Sequence, residues 1–484
     1  MSTAIEGLEP RLVWKHFAAF ARIPRCSKHE EAASKFVFDT ARAFGLSAKQ
    51  DRTGNVIVRK PASPGREGAP SVCLQGHLDM VCEKNSDIRH DFSKDPIELV
   101  RKGNTLMANG TTLGADNGIA VATNLAIMED RSLEHGPLEL LFTVDEETGL
   151  TGAHRLEPGF VESRILMNLD SEEEGALYVG CSGGKDTTGT WSVATEPAPA
   201  RTVALEVRVA GLKGGHSGME IHQGRGNALK ILTRVLIALE GLGARLGRID
   251  GGNKRNAIPR EAQALVFVPA ARADEAARLV AAWHKTVRAE LGGVEPDVKV
   301  TAEALKGKKG QVLTKKHQRA ITRTIAALPH GVIKMSADIP GLVETSTNVA
   351  VVTTKGKKVS LATSQRSSVQ SEIEEIAFAV RTVFELGGAE VVQGDGYPGW
   401  KPNMKSPILR TATDTYKQLY GRKPAVKAIH AGLECGIIGE KYPGIDMVSF
   451  GPTLEGVHSP DEKIHLDTVP KFWDFLLGIL KAVD

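Results

Sequence analysis

The sequence predicts an α/β fold: a mixed sheet with helices on both faces, carrying an inserted α+β domain. Three observations predict it. Short apolar runs stop abruptly at acids or histidines, as at Leu138–Val144 before Asp145-Glu146-Glu147, which is how buried parallel strands end and where open α/β sheets place their chemistry. Amphipathic helical patterns separate those runs. In mid-chain the pattern changes, and it returns to the first style near the C-terminus. At 484 residues the chain is too long for one core, so two domains are expected: residues 1–186 with 403–484, and an insertion of 187–402.

Composition is that of an ordinary globular protein, 41% hydrophobic and 25% charged. A net charge of +3 points to neither nucleic acid nor an anionic membrane as partner. The basic stretches at Lys306–Lys309 and Lys355–Lys358 lack interleaved aromatics and read as solvated turns. Met1–Glu6 has no signal-peptide apolar segment, and no apolar run reaches the ~18 residues of a membrane span. The five cysteines, Cys26, Cys73, Cys82, Cys181 and Cys435, fit no C-x-x-C zinc pattern and read as reduced, mostly buried thiols. A cytoplasmic location is expected.

In order, Pro10–Ala21 reads as an amphipathic helix. Ser27 with Glu30 or Glu31 is placed to cap a second helix, Glu30–Phe44. Gly54–Arg59 and Ser71–Gln75 read as strands around a Pro/Gly loop. The second strand ends in Gly76-His77-Leu78-Asp79. On extended backbone His77 and Asp79 face the same side, so Asp79 is placed to fix the ring of a metal-binding His77. Asn109–Asn117 is a glycine-rich loop that delivers Asp116 and leads into a helix, Gly118–Glu129. A carboxylate there has two oxygens for two cations, or it N-caps the helix. At Asp145-Glu146-Glu147 three adjacent carboxylates repel one another and call for something positive. Arg164–Leu169 is a further strand, ending in Asp170. These strand ends offer hard oxygen and imidazole donors with no cysteine beside them, which suits zinc, manganese or cobalt.

Thr187–Ala200 reads as a connection. Two strand-helix-strand-strand-helix-strand rounds then suggest an insertion of two related, ferredoxin-like halves. The first runs from Val203 past Gly214-Gly215-His216-Ser217-Gly218 to Glu303; the second runs from the helix at His317 to a strand at Ala389–Val392. Beyond it come a helix at Pro407–Gly421, the turn His430-Ala431-Gly432-Leu433-Glu434, a last strand at Ile445–Pro452, the stretch Glu455–Glu462 and a closing amphipathic helix, Asp467–Val483.

The ordered set His77-Leu78-Asp79, Asp116, Glu146-Glu147, Asp170, Gly214–Ser217 and His458 resembles the M20 family of metallopeptidases. The wording of Ile23–Ser27, Gln75–Val81, Asp145–Gly149 and His430–Glu434 is most similar to its aminoacyl-histidine (carnosinase-like) dipeptidase branch. That resemblance implies two zinc ions, with cobalt or manganese as substitutes. His77, Asp116 and Asp170 would hold one; Asp116, Glu147 and His458 would hold the other. It implies Asp79 as the group orienting His77, Glu146 as the general base on the water between the metals, and His216 as the oxyanion donor. Asn256, Arg366, Gly432 and Glu434 would contact the substrate. The implied activity is hydrolysis of Xaa-His dipeptides of the β-alanyl-histidine type and of other unblocked dipeptides, with closure of the inserted domain and a possible homodimer. Other M20 activities (tripeptidase, aminoacylase, N-acyl deacylase) and a non-catalytic metal- or peptide-binding protein on the same fold are the alternatives.

Overall fold

The computed structural model describes residues 3–484. Met1 and Ser2, part of the stretch read above for a signal-peptide segment, lie outside them. Compactness divides the chain into two units: the chain up to Gly180 with Trp400–Ala428 and Leu433–Asp484, and Cys181–Gly399 with Ile429–Gly432. The expected boundary at 186/187 differs from the 180/181 of this division. It falls inside a strand, Gly183–Ser192, that pairs along its whole length with Lys358–Ser367.

The first unit is built on an eight-stranded mixed sheet. At its centre Val72–His77 runs parallel to both Leu138–Thr143 and Ile165–Asn168, and Ile165–Asn168 runs parallel to Asp446–Ser449. Val56–Lys60 joins antiparallel outside Leu138–Thr143. Every residue of Val72–His77 and Leu138–Thr143 is buried. Since alternate side chains face opposite sides of a sheet, both faces are covered. The parallel strands bring His77, Thr143, Asn168 and Ser449 to one edge. A second, four-stranded sheet was not foreseen. In it Thr105–Ala108 pairs with Leu99–Lys102 and with Lys463–His465, and Lys463–His465 pairs with Leu454–Glu455. It sets the loop after Ala108 beside the turn that carries His458.

The second unit contains a nine-stranded sheet made of two four-stranded sets and one added strand. Thr202–Ala210, Arg245–Gly251, Ala262–Pro269 and Lys299–Leu305, with helices Ala228–Glu240 and Ala273–Leu291, form the first βαββαβ round. Asn227 caps the first of these helices, its Oδ1 accepting from the N–H groups of Leu229 and Lys230 at 3.0 and 3.1 Å. In the second round, strands Val343–Lys355, Lys358–Ser367 and Glu390–Gln393 and helices Lys315–Ala327 and Gln370–Leu386 take their first strand from Gly183–Ser192. The first part of the segment expected to be a connection, Thr187–Ser192, therefore belongs to an interior strand, and the first half is nested inside the second. Its glycines and threonines hide it from a hydrophobic reading. Gly189 is bare because the Phe384 ring lies over it, with room for no Cβ (2.1 Å). Gly331–Met335 adds a further strand against Val343–Lys355.

Two smaller expectations change. Ser27 does not cap the helix Glu31–Ala43, which has no side-chain N-cap. Cys26 and Cys82 form a disulfide rather than remaining thiols, because Cys26 bridges to Met80 and so lies beside the strand-end loop that carries Cys82. Cys73, Cys181 and Cys435 lie outside the disulfide and are buried as expected. Among the described residues no helix is long and apolar enough to cross a membrane.

Phe384 is fully buried and packs 5.9 Å from Trp191 on the nested strand. Phe384→Ala is expected to cost the second unit ~3–5 kcal/mol, read as a lowered urea midpoint. Two histidines of this unit are held neutral. Burial, with Lys230 adding to it, pushes His330 down to about 4. Burial, with Arg366, His216 and His222 adding to it, pushes His430 down to about 3. The unfolded chain protonates both near ~6.5. The unfolded state therefore binds more protons below that pH, and their contribution to stability is lost as pH falls from about 6.5 towards 4. Denaturation of a His330→Gln/His430→Gln variant beside wild type should show the difference moving in the variant's favour over that range.

Candidate metal centre

His77 ends its strand 1% exposed. Its backbone N–H donates to Asn117 Oδ1 at 3.1 Å, and Asn117 Nδ2 donates to the Leu169 carbonyl at 2.9 Å. One side chain thus ties two strand ends together. Asn117 approaches so closely that only glycine fits at position 76: a Cβ there would lie 2.4 Å from its Oδ1. The His77 ring presents Nδ1 to Asp79 Oδ1 at 3.3 Å, and Nε2 to Asp116 Oδ1 at 3.1 Å and Asp170 Oδ1 at 3.3 Å.

Asp116 does not cap the helix Ala115–Glu129. Its backbone is non-helical, and no side chain caps that helix from within. Its second oxygen, Oδ2, lies 3.1 Å from His458 Nε2, which is 2.9 Å from Glu147 Oε2. Each carboxylate oxygen of Asp116 therefore faces a different imidazole, and two groups that could each hold a metal ion, His77/Asp116/Asp170 and Asp116/Glu147/His458, share this residue.

The acidic turn is a single helical turn, Glu146–Gly149, entered through Asp145 at φ 50°. Asp79 holds it in place. Its Oδ1 accepts from the Glu146 N–H at 3.0 Å, and its Oδ2 accepts from the Glu147 N–H at 3.2 Å and from Ser27 Oγ at 2.8 Å. Against the upward push of burial, His77 and these donors keep the Asp79 carboxyl below its ordinary range. Glu30 and Asp145 complete the support. Glu30 accepts from the N–H groups of Lys28 and Asp145, and Asp145 accepts from the hydroxyls of Thr148 and Thr151. Glu30, Asp79 and Asp145 also lie close enough to hold a cation, but their oxygens are already met by N–H and O–H donors.

The metal groups behave differently. Burial pushes the Glu146 carboxyl well above its ordinary value, reinforced by Asp170, Glu434 and Glu147 and opposed by His77. Burial likewise raises Asp170 to about 6. Hydrogen bonds to Asp116 and Glu147 push His458 up to about 11. Glu147 Oε1 is buried with no hydrogen-bond partner. Four half-buried acids, Asp116, Glu146, Glu147 and Asp170, thus share two imidazoles, and the set calls for positive charge. The 2.9–3.3 Å spacings between these nitrogens and oxygens suit donors shared by one ion. Ligands ~2.0–2.1 Å from a tetrahedral centre lie about 3.3–3.4 Å apart. The residues present fit a divalent cation in each group.

The other expected site residues fall in two places. Glu434 is fully buried in the first unit. Its Oε2 accepts from Gln75 Nε2 at 2.6 Å and Thr143 Oγ1 at 2.7 Å, its Oε1 has no partner, and burial raises its carboxyl to about 7. His216, Asn256, Arg366 and Gly432 belong to the second unit. His216 Nδ1 accepts from the N–H groups of Gly218 and Met219 at 3.2 and 3.1 Å, which leaves the proton on Nε2. Burial, then Arg366, lowers its pKa to about 4, so it is a neutral donor at pH 7. Asn256 and Arg366 line one cavity of about 310 Å³. Arg366 Nη1 donates to Tyr397 Oη at 2.9 Å, and the Tyr397 ring covers Gly432, where a Cβ would meet it at 2.9 Å. His430 is buried against Ser346, 2.7 Å from its hydroxyl. Sequence reasoning missed Arg25, Glu30, Ser27 and Asn117. Arg25 lies inside a motif quoted for the resemblance, yet nothing in the sequence shows that its guanidinium reaches the carbonyls of Leu78, Asp79 and Gly114 at 3.3, 3.1 and 2.6 Å.

Residues 73–482 match the model of Peptidase family M20/M25/M40. The cytosol non-specific dipeptidase of Escherichia coli (strain K12) is 41% identical over 480 residues, 99% of each chain. The crystal structure of aminoacylhistidine dipeptidase from Vibrio alginolyticus is 43% identical, covering 99% of this chain and 98% of that one, with a TM-score of 0.91. A tripeptidase from Staphylococcus aureus subsp. aureus Mu50, 17% identical with a TM-score of 0.57 over 98% of this chain and 99% of that one, shares the fold. With the paired carboxylate-imidazole groups at the parallel edge of its sheet, the chain belongs to the M20 peptidase family and is a metal-dependent hydrolase.

Proposed function

We propose that the protein is a dinuclear, zinc-dependent dipeptidase of the cytosol that hydrolyses Xaa-His dipeptides of the β-alanyl-histidine type and other unblocked dipeptides. The observation that carries the metal half of this reading is the division of Asp116 between His77 and His458, at 3.1 Å each. The substrate half is supported by the names of two relatives, 41% and 43% identical over nearly the whole chain. The cytosolic location rests on the name of the first, since the Cys26–Cys82 bridge removes the cysteines as an argument for it. A homodimer belongs to the same reading.

In this reading His77, Asp116 and Asp170 hold one cation, and Asp116, Glu147 and His458 hold the other. Bound there, two cations supply Lewis acidity and make water acidic enough to attack an amide at neutral pH. Glu146 takes the proton of the attacking water and delivers it to the leaving amine. Its raised pKa suits both halves of that transfer, since a base working near neutrality must also give the proton back. Asp79 fixes the His77 ring and the two N–H groups that orient Glu146 and Glu147. His216 offers its Nε2–H to the oxyanion as a neutral donor, and Arg366 with Asn256 receives the substrate's carboxylate; Gly432 and Glu434 line the substrate position. A donor of the His216 kind is worth ~3–4 kcal/mol in comparable oxyanion sites.

Turnover of β-alanyl-histidine, of a panel of dipeptides and tripeptides, and of N-acyl amino acids by the zinc-loaded protein tests the substrate claim. Cleavage of unblocked dipeptides alone is the expected outcome, and cleavage only of N-blocked substrates sinks it. Glu146→Ala should retain two metals by elemental analysis while kcat falls ~10²–10⁴-fold. Asp116→Asn should lose affinity for both metals rather than one, read by chelator competition; loss of a single metal would remove its bridging role.

A further inference from the structure

The stretch Glu455–Glu462 brings His458 to the metal groups, but the mechanism above gives Glu462 no part. Its side chain is 2% exposed and it does not face either cation position. It accepts from four consecutive backbone N–H groups instead. Oε2 takes those of Leu113 and Gly114 at 2.7 and 2.9 Å, and Oε1 takes those of Ala115 and Asp116 at 2.7 and 3.2 Å. The helix Ala115–Glu129 lacks a side-chain cap of its own, so Glu462 satisfies its orphan donors from 346 residues away. A carboxylate at the positive end of a helix is also favoured by the helix dipole.

The loop is gripped on its other side as well. Arg25 Nη2 donates to the Gly114 carbonyl at 2.6 Å, while Nη1 donates to the carbonyl of Asp79 at 3.1 Å. Gly114 has φ 69°, and a Cβ there would lie 2.4 Å from Arg25 Nη2, so no other residue fits between the two charges. The register of the small sheet makes this possible: Lys463 pairs with Met107 and Ile464 with Leu106, which places the turn before Lys463 against the loop after Ala108. That turn is itself folded back, the Glu462 N–H donating to the Ser459 carbonyl at 3.1 Å and Ser459 Oγ to the Gly456 carbonyl at 2.7 Å.

We propose that Glu462 is a positioning residue for the dinuclear centre: by clamping the N–H groups of residues 113–116 it locks the Asp116 loop to the His458 turn, so that one oxygen of Asp116 is aimed at each imidazole. This rests on the metal reading above. It makes a ligand pair that is distant in sequence act as one rigid piece, and the clamp needs a carboxylate. An amide at 462 keeps one acceptor and turns an N–H₂ towards two N–H donors, which frees the end of the loop and lets Asp116 rotate.

The test compares Glu462→Gln and Glu462→Asp with Glu139→Gln in the full chain. Glu139 is a matched control, a 3% exposed carboxylate whose Oε2 accepts from the N–H groups of Glu162 and Ser163 at 2.9 and 2.8 Å. Zn²⁺ affinity is read by chelator competition and Co²⁺ coordination by visible absorption; kcat and KM are measured on whichever dipeptide wild type cleaves. Glu462→Gln should lose ~10–100-fold in affinity at both metals, with an altered cobalt spectrum and a loss in kcat exceeding any change in KM. Glu462→Asp, which keeps the charge on a shorter arm, should fall between Gln and wild type. Glu139→Gln should lower thermal stability while leaving Zn²⁺ affinity unchanged. Wild-type metal affinity and cobalt spectrum in folded Glu462→Gln would overturn the proposal, as would equal metal loss in Glu139→Gln. If Glu462→Gln does not fold, the same readings on Glu462→Asp decide. If wild type binds zinc but cleaves no dipeptide, the substrate reading fails while the metal arm still tests Glu462.

Discussion

The structure depends on how it tolerates a buried concentration of negative charge. Asp79, Asp116, Glu146, Glu147, Asp170 and Glu434 gather around His77 and His458 at the C-terminal edge of four parallel strands. Removing one carboxylate from water without compensation costs several kcal/mol, and like charges together cost more. Each residue answers that cost visibly. Burial raises Glu146, Asp170 and Glu434, and carboxylate partners raise His458. Arg25, fully buried, keeps its charge with burial pulling it down to about 10 while Glu462, Asp79, Asp116 and Glu147 hold it up. In the proposed reading, a pair of divalent cations would relieve what remains.

The acids divide into two tiers. Asp79, Glu30, Asp145 and Glu462 are acceptors for backbone N–H or hydroxyl groups. Their charge is spent on holding backbone, and a cation would have to displace those donors. Glu147 and Glu434 instead keep one buried oxygen each without a partner. The first tier fixes where the second can point. Asp79 belongs to both stories, since it faces His77 Nδ1 at 3.3 Å while accepting the N–H groups that begin the acidic turn.

That division decides how much was legible in the sequence. Glu147 and Asp79 were readable as candidates because each follows an apolar strand, and strand ends in an open α/β sheet converge, whereas Glu434 entered only through the resemblance. Members of the first tier were not, because a carboxylate bound to N–H groups of a distant loop leaves no local pattern. Ser27 looked like a helix cap and holds Asp79, and Glu462 only closes the stretch Glu455–Glu462, with no pattern to mark it. Thr187–Ser192 was misread as part of a connection because, apart from Trp191, the buried positions of its strand are glycine and threonine and give no apolar count.

The nesting also sets how the second unit must be assembled. Thr187 and Gln365, hydrogen-bonded at 2.8 Å on adjacent strands, are 178 residues apart in sequence. The first half, Thr202–Leu305, pairs its strands among themselves and lies wholly between those partners, so it can form before the second half closes around it. Loop closure over such a span must be met before the pairing rewards it. Arg366 sits at the end of that process. It lies opposite Gly184 in the register of the nested strand and opposite Ser346 in the next, and a Cβ at 184 would meet the ring of its partner Tyr397 at 2.8 Å. The cavity that Arg366 shares with Asn256 therefore takes its shape from the unit's long-range pairing, and a bare position on the nested strand is a condition for that arginine to be held in place.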